Sequence, residues 1–221
     1  EVFESLDVGA SKTELIVSKY QNLIVGFITT SILVVLSYLG YQNFILNPQS
    51  EEANNELFLA QNYFNQALSD VDNNDSLFTL ALNGSEGKYG FLDIIENYSA
   101  TDAADIATYS AGMAYYNLND FENSINYLQK FSSDDEILNA LALGVIGDSF
   151  AELNQLEDAL DSYKSAINSS KNQFTTPKFL LKAGNISYML GKKREALEFY
   201  EIIKKDYSKS PESNLIDIQI G

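Results

Sequence analysis

One phrase recurs three times in this chain of 221 residues: a glycine, a small residue twelve positions later, and a larger residue sixteen positions later. The copies are Gly112…Ser124…Leu128, Gly147…Ala159…Tyr163 and Gly184…Ala196…Tyr200, and their glycines stand 35 and 37 residues apart. A period of that size is one helix–turn–helix unit per copy. Such a unit cannot bury its apolar face alone and must stack on its neighbours. An array of stacked helix pairs is a recognition surface before it is anything else, which turns the question from a reaction to a partner.

The middle copy shows the logic. Gly147 is small where the second helix crosses the first, and Phe150 follows one turn on. Ala159 meets that crossing from the second helix, and Tyr163 is expected to fill the space between repeats. Asn154 falls at the turn, where Asn and Gly tolerate a left-handed backbone. The first copy reads Gly112, Tyr115, Asn119, Phe121, and the third has Gly191 at its turn but Ser187 and Lys193 at larger positions. This phasing resembles the tetratricopeptide repeat, whose period is about 34 residues. It predicts an all-α fold in which residues 104–221 form three repeats and the start of a C-terminal capping helix. Pro177 suits the first turn of a repeat helix. Ile216, Ile218 and Ile220 look cut off within an element, so the natural chain is expected to be longer.

Residues 47–103 read as a degenerate first repeat or cap. Its first helix is expected over 51–71, with Leu57, Ala60, Phe64, Ala67, Leu68 and Val71 on one stripe, and its second over 91–98. The Asn-, Asp- and Gly-rich stretch 72–90 reads as a loop around a short apolar piece, Leu77–Leu82.

Residues 23–46 carry no charge. As a helix they would extend about 36 Å, enough to cross a hydrocarbon core of about 30 Å. The run is too long for a cleavable signal peptide, lacks a small-residue cleavage site and follows residues 1–22, so it reads as a single transmembrane anchor in the lipid bilayer. Orientation follows Lys and Arg. Lys12 and Lys19 precede the span, and neither residue type recurs until Lys88. The short tail 1–22 is therefore expected in the cytoplasm and the repeats across the membrane, in the periplasm of a diderm bacterium. Tyr20, Tyr38, Tyr41 and Phe44 are placed as interfacial anchors.

The net charge is −17, unevenly spread: residues 47–163 carry −19 and residues 164–221 carry +4. Nucleic-acid binding needs clustered cations and is disfavoured. With no His and no Cys, neither a His-paired nucleophile nor a zinc site with nitrogen or sulfur ligands can be assembled. Asp70-x-Asp72-x-Asn74 begins like a calcium loop but has Asp75 in place of its glycine and Ala81 in place of its bidentate Glu. Gly84-Ser85-Glu86-Gly87 reads as a turn, not a phosphate cradle. No catalytic residue, metal or cofactor is expected.

Projection of the glycine phase onto the first helices gives the candidate groove. The first copy contributes Tyr109, Met113 and Tyr116, the second Leu141, Asp148 and Glu152, and the third Lys178, Leu181, Asn185 and Tyr188. Tyrosine and methionine together suit adaptable contact with extended polypeptide. Asp148 should repel a C-terminal carboxylate.

The layout, with Leu80-Ala81-Leu82-Asn83-Gly84, Gly90-Phe91-Leu92-Asp93-Ile94-Ile95 and Phe174-Thr175-Thr176-Pro177-x-x-Leu180-x-Lys182-Ala183-Gly184, resembles the YfgM-type ancillary subunits of the bacterial Sec translocon, in the form found in Bacteroidota. The resemblance implies an inner-membrane protein associated with a SecYEG-type translocon and a PpiD-like periplasmic chaperone, in contact with unfolded secretory polypeptides. Two other readings fit the same layout: a scaffold subunit of another cell-envelope machine, such as outer-membrane assembly or specialised secretion, and an N-anchored protein-import receptor.

Overall fold

The computed structural model describes residues 2–69 and 73–220 and divides into two compact units, Glu1–Gln49 and Ser50–Gly221. Asp70, Val71 and Asp72 lie outside the described residues, as do the side chains of Lys12, Ile218 and Ile220.

The first unit is helical nearly throughout. Helix α1 spans Val2–Tyr41 and is followed by a π-helical turn, Gln42–Leu46. No boundary appears at Leu23: the tail and the apolar run share one helix. From Leu23 to Leu46 every side chain is exposed except at Gly40, Gln42 and Leu46. This helix is long and apolar enough to cross a membrane. The wide turn has a local cause. Pro48 lacks an N–H and its ring crowds the carbonyl four residues back, at Phe44, so the helix widens there and the Asn47 N–H bonds to the Gln42 carbonyl.

The second unit takes in α2 (Asn47–Ser69) from Ser50 onward, then α3 (Asn74–Asn83), α4 (Phe91–Asn97), α5 (Asp102–Asn117), α6 (Phe121–Leu128), α7 (Glu136–Glu152), α8 (Leu156–Ser169), α9 (Thr176–Met189), α10 (Lys193–Asp206) and α11 (Pro211–Ile220). From α4 onward each helix packs on the next, and the core is a succession of local clusters. That is the signature of a repeat array.

Two expectations for the region before α5 need correction. The stretch 72–90 is not a loop around an apolar fragment. Its residues Asn74–Asn83 form α3, with Phe78, Ala81 and Leu82 at helical spacing and buried in the core. The helix pair packed onto α5 is therefore α3–α4, and α2 is a further helix whose Leu57, Ala60 and Ala67 cover the same core. Phe64 joins them by edge-on contacts with Phe78 and Phe91, at 5.4 and 6.0 Å between ring centroids. Leu68 is 59% exposed and leaves the predicted stripe. The turn at Gly84–Gly87 is confirmed: Gly84 has φ +74°, and a Cβ there would lie 2.1 Å from the Lys88 carbonyl oxygen, a position only glycine can hold.

Caps account for the helix starts. Thr101, Asp120 and Asp135 accept bonds from first-turn N–H groups of α5, α6 and α7. Pro177 sits in the first turn of α9 as expected. Between paired helices, Asn119, Asn154 and Gly191 take φ values of 59°, 58° and 76°, the left-handed turns anticipated from residue type. In α11, Ile216 is fully buried against Leu180 and Ile203.

Candidate partner-binding groove

Three helix pairs, α5–α6, α7–α8 and α9–α10, repeat one contact. A Cβ added to Gly112 would stand 2.5 Å from Cγ of Leu128, one on Gly147 2.6 Å from Cε1 of Tyr163, and one on Gly184 2.4 Å from Cε1 of Tyr200. The residue at plus sixteen thus lies directly on the glycine of its own repeat, and the small residue at plus twelve is buried beside it. Tyr163 does reach the next repeat as well, stacked at 6.4 Å on Phe179. Gly144, one turn before Gly147, makes room for that ring: a Cβ there would be 2.0 Å from Phe179. Gly144 stands outside the recurring glycine phase, so the spacing gave no sign of it.

The residue after each glycine completes the pattern. The Tyr163 hydroxyl donates to Asp148 at 2.6 Å and the Tyr200 hydroxyl donates to Asn185 at 2.8 Å. The first repeat carries the apolar pair Met113 and Leu128 at these positions. Asp148 also receives Lys182 from the following repeat, with Nζ 2.5 and 2.6 Å from its two oxygens. This ion pair bridges α7 and α9. Burial raises the Tyr163 phenol above its ordinary value, and the Asp148 charge and hydrogen bond raise it further. Burial likewise raises Tyr116, reinforced by the carboxylates of Asp148 and Glu152. Tyr116 of the first repeat thus senses the two acids of the second.

The candidate residues separate by environment. Tyr109 is half-buried, its ring 5.1 Å from Phe131, and Leu141 and Leu181 pack against core clusters. Met113 is half-buried, while Tyr116 leans edge-on against Phe121 at 5.7 Å. Glu152 and Lys178 are exposed, the latter with its ammonium 5.9 Å from the Phe179 centroid. Asn185 is half-buried and accepts the Tyr200 hydroxyl at its carbonyl oxygen. Tyr188 is 61% exposed, next to Met189 at 63%. Lys182 and the Tyr163 hydroxyl were missed, although a signal existed: Asp148 and Lys182 are 34 residues apart, one repeat period, with opposite charge. Asp148 consequently meets the groove as half of an ion pair rather than as a bare anion. In the first unit, Tyr20, Tyr38, Tyr41 and Phe44 are all exposed.

Two family profiles, each described as tetratricopeptide repeat, match residues 107–133 and 179–210. The first match covers most of α5 and all of α6, the second most of α9 and all of α10. The chain carries tetratricopeptide repeats. Between the matched stretches, α7–α8 reproduces the close contact of a glycine with the residue sixteen positions on and the same left-handed turn. No curated relative matches the sequence. Tetratricopeptide arrays in general are scaffolds that bind other proteins.

Proposed function

We propose that this is a non-catalytic, membrane-anchored tetratricopeptide subunit that holds polypeptide or partner proteins beside the Sec channel. The anchor is the run 23–46, residues 1–22 are its cytoplasmic tail, and the repeats lie in the periplasm. The observation that carries the reading is the combination of the uncharged run 23–46, exposed at all but three of its positions, with the tetratricopeptide repeats that follow it. A helix that leaves nearly all its large apolar side chains uncovered is poorly suited to water and well suited to lipid. Lys12 and Lys19 before the run, with no Lys or Arg from Tyr20 to Gly87, support the orientation. The likeness to YfgM-type subunits supplies the channel and the PpiD-like chaperone as partners. Tyr116, Lys178, Asn185 and Tyr188 are the side chains through which the groove engages them. Tyr20, Tyr38, Tyr41 and Phe44 sit at the membrane–water interfaces.

Gentle detergent extraction of the full chain, followed by affinity purification and mass spectrometry, tests this. SecY-type channel subunits should copurify in stoichiometric amount. Recovery of outer-membrane assembly components without any channel subunit would favour the envelope-scaffold alternative instead.

A further inference from the structure

A cavity of about 500 Å³ opens between the start of α5 and the segment that leads into α7. Ile106 of α5, Phe131 of the connecting segment and Leu138 of α7 give it apolar walls, and Ile106 is 42% exposed. Ile106 stands six residues before Gly112, as Leu141 and Lys178 stand before Gly147 and Gly184. The cavity therefore lies at the beginning of the first-helix row. Phe131 is held against Tyr109, and the segment after it is braced. The Ser133 N–H donates to the Asn139 side-chain carbonyl at 3.2 Å, and the Asn139 amide donates back to the Ser133 carbonyl at 2.5 Å. The Asp135 N–H donates to the Ser133 hydroxyl at 3.1 Å. Walls fixed in this way lower the ordering cost of a contact.

The rest of the lining decides the sign of an occupant. Asp102, Asp105 and Asp134 line the cavity, and no Lys or Arg does. None of these three carboxylates makes an ion pair or side-chain hydrogen bond among the described residues. Lys130 is the only cation between Lys88 and Lys164, and its ammonium is turned to the Tyr127 ring, 5.1 Å from the centroid. The N-termini of α5 and α7 supply about half a positive charge each. They are already capped by Thr101 and Asp135, and they leave the carboxylates in excess. Among the described residues no three acids converge closely enough to hold a metal ion. Carboxylates spread around an apolar opening suit separate cationic side chains rather than one ion.

We propose that this cavity docks a basic polypeptide segment. One apolar side chain enters between Ile106, Phe131 and Leu138, and neighbouring Lys or Arg side chains pair with Asp102, Asp105 and Asp134. Charge complementarity rejects acidic segments, as it does at interfaces generally. The proposal does not depend on the Sec reading, since none of these residues carries it and the binding is measured without a channel.

The test uses the full chain in phosphatidylcholine nanodiscs and fluorescence anisotropy with two short fluorescein-labelled peptides, a central leucine flanked by lysines and the same leucine flanked by glutamates. The lysine peptide should bind saturably and at least about tenfold more tightly. Because the chain is acidic overall, the decisive comparison is between variants of equal charge. Asp102→Asn, Asp105→Asn and Asp134→Asn combined should weaken the lysine peptide about tenfold. Glu51→Gln, Glu96→Gln and Glu201→Gln combined, three exposed acids outside the cavity, should bind as the parent does. Ile106→Ser should weaken the same peptide about fivefold, with folding of each variant verified by circular dichroism. Asp134→Lys lies outside any helix and should also cost about tenfold, which keeps the test decisive should the triple variant at the cavity unfold. Equal losses from the two triple variants, or no effect of Asp134→Lys or Ile106→Ser, overturn the proposal. Displacement of the peptide by millimolar calcium at constant ionic strength would make this a cation site and also overturn it.

Discussion

Gly147 and Tyr163 condense the chemistry of this array into one contact. The glycine lets an aromatic ring lie on the helix backbone, and the next residue, Asp148, receives the hydroxyl of that ring. The glycine phase was legible from sequence because it recurs. The polar completion was not, because Met113, Asp148 and Asn185 differ in character although they share a position. Only the fold shows that Asp148 and Asn185 each answer the tyrosine at plus sixteen. Gly144 provides the sharpest test at this scale. A methyl there would meet the Phe179 ring at 2.0 Å, so Gly144→Ala should destabilise the repeats by about 1–3 kcal/mol through overpacking. A Cβ on Gly26 would have nothing within 4 Å, so Gly26→Ala should leave the stability of the repeats unchanged. Urea midpoints of the two variants against the parent check the pair, and equal midpoints would contradict the close packing.

At the scale of elements, the paired helices α5 to α10 were readable because turn residues and small crossing residues mark both ends of each pair. Helix α3 was not. Asn73, Asn74 and Asp75 at its start and Asn83 and Gly84 at its end resemble loop composition, and the apolar spacing of Phe78, Ala81 and Leu82 lies inside only ten residues. Likewise the π-helical turn at Gln42–Leu46 has no sequence mark except the following Pro48. The α7–α8–α9 junction carries its own prediction. Tyr163 is raised above its ordinary value of 10.0 in the folded protein. The folded state therefore keeps that proton at a pH where the unfolded chain releases it. The stability it contributes is complete below about pH 10 and is lost as pH rises above that value. Tyr163→Phe removes the ionisable group, so its stability should fall less steeply than the parent's above about pH 10, by up to about 1.4 kcal/mol per pH unit. Urea titrations across this range measure the difference, and parallel curves would show that Tyr163 is not linked to folding.

The whole molecule combines three separate features: an apolar helix suited to lipid, tetratricopeptide repeats in a largely acidic section, and a basic C-terminal section. Composition revealed the first and the charge division, because neither depends on packing. It could not separate exposed groove side chains from packed ones, since Tyr109 and Tyr188 look alike in sequence but one leans on Phe131 while the other faces solvent. The central claim is that the first-helix face meets polypeptide at the secretion channel. In vivo photo-crosslinking from a benzophenone amino acid at position 188, with the same group at exposed Phe58 as the comparison, tests it most directly. Crosslinks from position 188 to SecY-type subunits or to secretory chains in transit, absent from position 58, are the predicted result. Crosslinks confined to other envelope proteins, or equal labelling from both positions, would contradict it.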